Sequence, residues 1–307
     1  ELTIDGAIGV ATKDYLVRAM DKAHQQGAHA ILIRMDTPGG LDSATRDIIK
    51  AILASPIPVI TYVHPAGARA ASAGTYILYG SQVAAMTPST NLGAATPVQM
   101  GGMPGMPSGE QDQEPDKAPA KAGEKGGDAE TADEKADTKA PAGSAMKRKV
   151  INDSVAFIRG LAERHGRNAD WAEKAVREAV SLTASKALEQ NVIDLTAENR
   201  EDLLAKLDGL EVELESGPYQ LKTADLAIKS YDPDWRSELL GVITNPQIAS
   251  ILLLIGVYGL ILEGYNPGAM VPGIVGIICL LLGLYAVQVL PVNYAGLALL
   301  LLGSILI

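Results

Sequence analysis

Ala30-Ile-Leu-Ile-Arg-Met35, followed at once by Asp36-Thr-Pro-Gly39-Gly40, is the stretch on which the fold turns. A short, nearly continuous apolar run is what a parallel strand covered on both faces requires. The turn after it is too rich in glycine to carry side-chain chemistry of its own. Upstream, Leu2, Ile4, Ala7, Ile8 and Val10 form a strand pattern, and Tyr15, Leu16, Ala19, Met20 and Ala23 recur at helical spacing up to Gly27. Downstream, Ala44, Ile48, Ile49, Ile52 and Leu53 mark a second amphipathic helix, stopped by Pro56 and Pro58 before the strand Val59 to Val63. This alternation predicts an α/β domain with a parallel sheet and right-handed crossovers. Val83 to Met86 and Pro88 to Gly93 are expected to continue that sheet.

In such sheets, sites gather at the carboxyl ends of strands. Pro65-Ala-Gly-Ala-Arg-Ala-Ala-Ser72-Ala-Gly74 follows one such end and leads into a helix marked by Tyr76, Ile77 and Tyr79. Ser72 is therefore a candidate nucleophile at a strand-to-helix junction, where the free N–H groups of the helix start stabilise negative charge. The Gly39-Gly40 turn follows a neighbouring strand end and can face the same crevice. Its backbone N–H, from Gly40 or Gly39, would act with that of Ala73 as an oxyanion hole. The bland reading of Ser72 is small-residue packing.

A serine nucleophile needs a base. His24 and His29 flank one helix end and His165 closes another, while His64 lacks an evident acidic partner to orient it. A desolvated lysine can replace histidine, because burial lowers its pKa, and a helix N-terminus acts in the same direction. Val150, Ile151, Ser154, Val155, Ile158, Leu161 and Ala162 predict a helix that begins with Lys149 and ends near His165-Gly166. Lys149 is then the candidate base, with Lys147 in the loop before it. A solvated surface position is the bland reading of Lys149.

Between nucleophile and base, residues 97–146 are dominated by Gly, Pro, Ala, Met, Asp, Glu and Lys and carry a surplus of acid. This composition predicts a disordered, low-complexity insertion that cannot bury enough apolar surface to offset ordering. The whole chain has a formal charge of −10 and no Lys/Arg run that tracks a phosphate backbone, which argues against a nucleic-acid partner. Cys279 is the single cysteine, so an intramolecular disulfide and a cysteine-based metal site are excluded. No cofactor or metal is expected.

After the Lys149 helix come a helix with Trp171, Ala172, Ala175 and Val176, a helix running into a strand over Leu182 to Asp194, a helix capped by Asn199, and a hairpin around Gly217-Pro218. Beyond Glu238 the one formal charge is Glu263. Val242 to Leu262, interrupted at Asn245-Pro246, and Met270 to Leu290 each approach the ~20 apolar residues of a bilayer span. A third stretch from Tyr294 stops at Ile307, as expected of a chain that continues in a longer protein. Trp235 and Arg236 suit a membrane interface. The expected domains are 1–230 for the α/β unit, 231–241 for a connector and 242–307 for transmembrane helices.

Asp36-Thr-Pro-Gly-Gly40, Gly67-Ala-Arg, Ala71-Ser-Ala-Gly74, Asn91-Leu-Gly-Ala, the lysine-led helix Lys149 to Ala162, and Leu182 to Asp194 followed by apolar spans together resemble the membrane-bound serine proteases of the NfeD family. These are relatives of ClpP and signal peptide peptidase A within the crotonase-like fold. The resemblance implies a serine endopeptidase with Ser72 as nucleophile and Lys149 as base, framed by Gly40 and Ala73. It implies a removed signal peptide, a domain outside the cytoplasmic membrane, and a homo-oligomer that acts on apolar segments of a stomatin-like (SPFH) partner. Long family members also carry a small C-terminal β-barrel, absent from these residues. The insertion leaves Lys147 open as an alternative base. Two other functions stay open: a membrane scaffold for SPFH proteins without obligatory turnover, and acyl-CoA chemistry on the same fold.

Overall fold

A computed structural model describes residues 1–97, 142–224, 226–265 and 270–286. In chain order the first half runs β1 (Leu2–Asp5), α1 (Val10–Gln25), β2 (Ile31–Asp36), α2 (Asp42–Leu53), β3 (Val59–Val63), β4 (Arg69–Ala71), α3 (Ala73–Gly80), β5 (Val83–Met86) and β6 (Asn91–Gly93). The second half runs α4 (Ala142–Arg164), α5 (Ala169–Arg177), β7 (Ser181–Thr183), α6 (Ala184–Glu189), β8 (Leu195–Thr196), α7 (Arg200–Leu207), β9 (Glu211–Leu214), β10 (Gly217–Gln220), α8 (Trp235–Ile243), α9 (Pro246–Tyr265) and α10 (Met270–Ala286).

The core is a five-stranded, all-parallel sheet in the order β1-β2-β3-β5-β8. Every residue of β3 is buried, because layers cover both of its faces. On one side Ile33, Met35, Val59 and Val63 join Leu16, Ile48, Ile49 and Ile52 of α1 and α2. On the other, Ile60, Tyr62, Val83 and Ala85 meet Leu203 and Leu207 of α7 and Val212 of β9. A second sheet, β4-β6-β7, stands beside the first.

Four local expectations are corrected. Val10 opens α1 rather than extending β1, since the chain turns at Gly6, which has φ +92°. Asn91–Gly93 leaves the main sheet for β4 and β7. The hairpin turns at Glu215-Ser216, with Gly217 paired to Leu214 and Pro218 already in the strand. The helix that carries Lys149 starts at Ala142, so the last residues assigned to the insertion are helical. The rest of that insertion, 98–141, and the third apolar stretch lie outside the described residues.

The C-terminal helices are apolar. Gln247–Tyr265 is long and apolar enough to cross a membrane, and Val271–Ala286 is a shorter apolar helix. They pack through glycines: a Cβ on Gly256 would lie 2.8 Å from the Leu280 nitrogen, and one on Gly259 2.8 Å from the Gly276 Cα. Such close backbone approach is how helices associate where no hydrophobic effect drives them together.

Candidate active site

Ser72 sits between β4 and α3 with φ 50° and ψ −113°. A serine gains nothing locally from such a conformation, so the surroundings must impose it. They do so by hydrogen bonds. The Ser72 N–H donates to the Gly93 carbonyl at 3.0 Å, and its carbonyl accepts from Thr75 N–H at 2.9 Å. The Thr75 hydroxyl, fully buried, donates to the Ala70 carbonyl at 2.8 Å and accepts from Gly93 N–H at 3.0 Å. Thr75 thus ties the Ser72 turn to the second sheet, a role that no local sequence signal announced.

The glycine turn is pinned from two sides. Thr37 pairs with Ala70 of β4, its N–H donating to the Arg69 carbonyl and its own carbonyl accepting from Ala71 N–H. Ile8 N–H donates to the Gly39 carbonyl at 2.9 Å, and Leu41 N–H to the Ile8 carbonyl at 2.8 Å. The result places Gly39 against Ser72: a Cβ on Gly39 would fall 2.7 Å from Ser72 Cβ and 3.2 Å from its Oγ. Gly39 also needs its φ of +116°, which side chains resist. A Cβ on Gly40 would lie 2.0 Å from the Ile8 carbonyl oxygen. Neither position admits another residue without moving the turn.

Of the two glycine N–H groups expected near an oxyanion, that of Gly39 is occupied, donating to Thr37 Oγ1 at 3.0 Å. The Gly40 N–H has no partner among the described residues. Ala73 is the first residue of α3, so its N–H has no intrahelical acceptor.

Lys149 is placed differently from the expectation. It is the eighth residue of α4 and is exposed, so the helix N-terminus does not act on it. The misreading has a physical source: Ala142-Gly-Ser-Ala-Met146 resembles the tether in composition, yet the chain after it is already helical and propagation is inexpensive once a helix is nucleated. α3 packs on α4 and α5: Tyr76 stacks on Phe157 of α4 at 6.1 Å, and Tyr79 stacks on Trp171 of α5 and donates to the Asn168 carbonyl. At the helical rise Lys149 stands about 12 Å before Phe157. Among the described residues neither Ser72 Oγ nor Lys149 Nζ makes a hydrogen bond or ion pair. Lys147 is exposed as well.

The histidines are elsewhere engaged. His64 stacks on Tyr62 at 5.1 Å and shares a hydrogen bond with Thr87 Oγ1 at 3.1 Å. Burial, with Arg34 nearby, lowers its pKa. His165 contacts the Gly80 backbone, its Nε2 is buried without a partner among the described residues, and burial pushes its pKa down to about 4. The unfolded chain then takes up a proton at His165 near pH 6.5 while the folded one does not until about pH 4. Stability is expected to fall as pH drops through that window, by about 3 kcal/mol for this group. Urea unfolding of wild type and His165→Asn between pH 7 and 4 checks it, the variant showing the shallower decline.

A strained serine at a helix start, with a glycine N–H opposite and the carboxyl ends of a parallel sheet beneath, is an arrangement able to support acyl transfer. Comparison with known proteins agrees with the fold and adds the lineage. The NfeD1b N-terminal domain family matches residues 2–111, and the NfeD integral membrane domain family residues 247–307. The membrane-bound protease PH1510 of Pyrococcus horikoshii is 33% identical over 306 residues, covering 98% of this chain, while this chain spans 61% of that protein's length. Two solved structures of the 1510-N membrane-bound stomatin-specific protease align with it. A lysine-to-alanine mutant in complex with a substrate peptide is 32% identical, with TM-score 0.62 over 79% of this chain and 95% of that one. A serine-to-alanine mutant is 32% identical, with TM-score 0.57 over 75% and 94%. The chain belongs to the NfeD family and is a homologue of a membrane-bound protease.

Proposed function

We propose that the chain is a membrane-anchored serine endopeptidase in which Ser72 and Lys149 form the catalytic dyad. The observation that carries this reading is the imposed backbone of Ser72 against Gly39-Gly40. Lys149, as the free amine, takes the Ser72 hydroxyl proton as Oγ attacks the scissile carbonyl. The oxyanion of the tetrahedral intermediate is met by the N–H groups of Gly40 and Ala73. Collapse expels the amine, which receives its proton from Lys149, and water deprotonated by the same lysine releases the acyl group. Lys149 must leave solvent for its amine to act as a base.

The substrate class we infer is an apolar segment of a stomatin-like membrane protein, supported by the relatives' specificity and by the apolar helices that follow the domain. A multi-pass anchor with the domain on the extracytoplasmic side and a homo-oligomeric state complete the proposal. The test is mass spectrometry of an apolar peptide incubated with the chain in detergent. Internal cleavage is expected. An intact peptide, with a stomatin-like protein still co-purifying, would replace this reading by the scaffold one, which the exposure of Lys149 favours.

A further inference from the structure

α8 presents an apolar face that nothing among the described residues covers. Trp235, Leu239 and Val242 are 68%, 51% and 58% exposed and, at spacings of four and three, share one side of the helix. The Arg236 guanidinium lies 5.6 Å from the Trp235 ring. The opposite side is held hard against the α/β domain. Arg18 of α1 grips Asp234 through Nη1 at 2.9 Å and Nη2 at 3.1 Å, and Nη2 also reaches Ser237 Oγ at 3.0 Å. Ser237 is buried, and Asp234 caps α8 by accepting from Ser237 N–H at 3.1 Å. Just upstream, the Tyr15 hydroxyl donates to the Tyr231 carbonyl. The connector is thus a strap fixed to α1 and not a loose tether.

We propose that α8 is an in-plane helix seated at the headgroup–acyl boundary of the bilayer, with Trp235, Leu239 and Val242 facing lipid. The occupant follows from continuity. Pro246 opens α9 after only Thr244 and Asn245, and α9 contains the stretch apolar enough to cross a membrane. A tryptophan beside an arginine with aliphatic residues on the same face is the composition such a position takes, with the apolar side sinking about 5–10 Å below the headgroups. The clamp gives the seat a consequence. α1 starts two residues after Ile8, which pairs with the Gly39-Gly40 turn. A lipid-seated α8 therefore holds, through Arg18 and α1, the end of the domain that bears Ser72 near the membrane surface.

The experiment uses the full chain reconstituted in phosphatidylcholine vesicles, with or without bromine on the acyl carbons nearest the headgroup. The difference in emission between wild type and Trp235→Phe isolates Trp235. Brominated lipid is expected to remove about half of that emission, as a ring at the acyl boundary requires. Paired Leu239→Glu and Val242→Glu substitutions are expected to reduce the quenching at least twofold. Trp235 that is unquenched by lipid but quenched by aqueous iodide would overturn the proposal, as would Trp235 shielded from both by residues 287–307 or by a second copy.

Discussion

Ser72→Ala and Lys149→Ala are each expected to lower kcat/KM for an apolar peptide by about 10³-fold or more, with KM little changed. In the proposed dyad nucleophile and base act in one step, so removing either would forfeit the whole of their joint effect. The double variant is accordingly expected to be no slower than the worse single one. What survives is the contribution of the Gly40 and Ala73 N–H groups and of substrate binding. Lys149→Arg is expected to fail as completely as alanine, because a guanidinium stays protonated and cannot accept the serine proton. This separates a base from a merely positive side chain that attracts substrate, which arginine would replace. Lys147→Ala distinguishes the two lysines. If it abolishes cleavage while Lys149→Ala does not, the base has been misassigned. Thermal unfolding should leave Lys149→Ala close to wild type, since the side chain is exposed and makes no described contact.

The parts of this site that were legible in the sequence are those fixed by local rules. Apolar runs without polar alternation gave β2 and β3, and glycines at a strand end marked the Gly39-Gly40 turn that packs against Ser72. Small residues around Ser72 marked the turn, in which Ser72 is half-buried. What was not legible depended on partners far away in the chain. Thr37 Oγ1 takes the Gly39 N–H, and nothing in Thr-Pro-Gly-Gly says which of two glycines is free. Thr75 reads as an ordinary helix residue until Ala70 and Gly93 are brought to it. The start of α4 was hidden because helix propagation overrides a poor local composition. Arg167 was missed altogether, since its partners are mostly backbone carbonyls, which have no sequence signature.

Arg167→Ala is expected to lower stability by about 3 kcal/mol, the cost of leaving several buried carbonyls without their charged donor. Arg167 is 5% exposed. Its Nη1 donates to the Leu78 and Tyr79 carbonyls and its Nη2 to those of Ser81 and Gln82. The first two are among the terminal carbonyls of α3, which have no acceptor role inside the helix. Nε and Nη2 also meet Asp194 at 3.1 and 2.6 Å, and Asp194 Oδ2 accepts from Ala84 N–H at 2.7 Å. One side chain therefore closes α3, orients the start of β5 and joins both to the segment before β8. Alanine would leave the buried carbonyls without their charged donor, whereas Asp194, at the surface, keeps the Ala84 N–H. Lysine would not rescue it, because an ammonium cannot span this fork of acceptors. Urea unfolding in detergent checks the size of the loss, with Trp171, which stacks on Tyr79, as the local probe in a Trp235→Phe background. The Arg167→Ala, Asp194→Ala pair is expected to cost less than the sum of its single variants, because each single variant already removes their shared ion pair. Since α3 spans only eight residues, slack at its carboxyl end reaches Ser72 within two turns. Cleavage by Arg167→Ala should then fall even at temperatures where the variant remains folded.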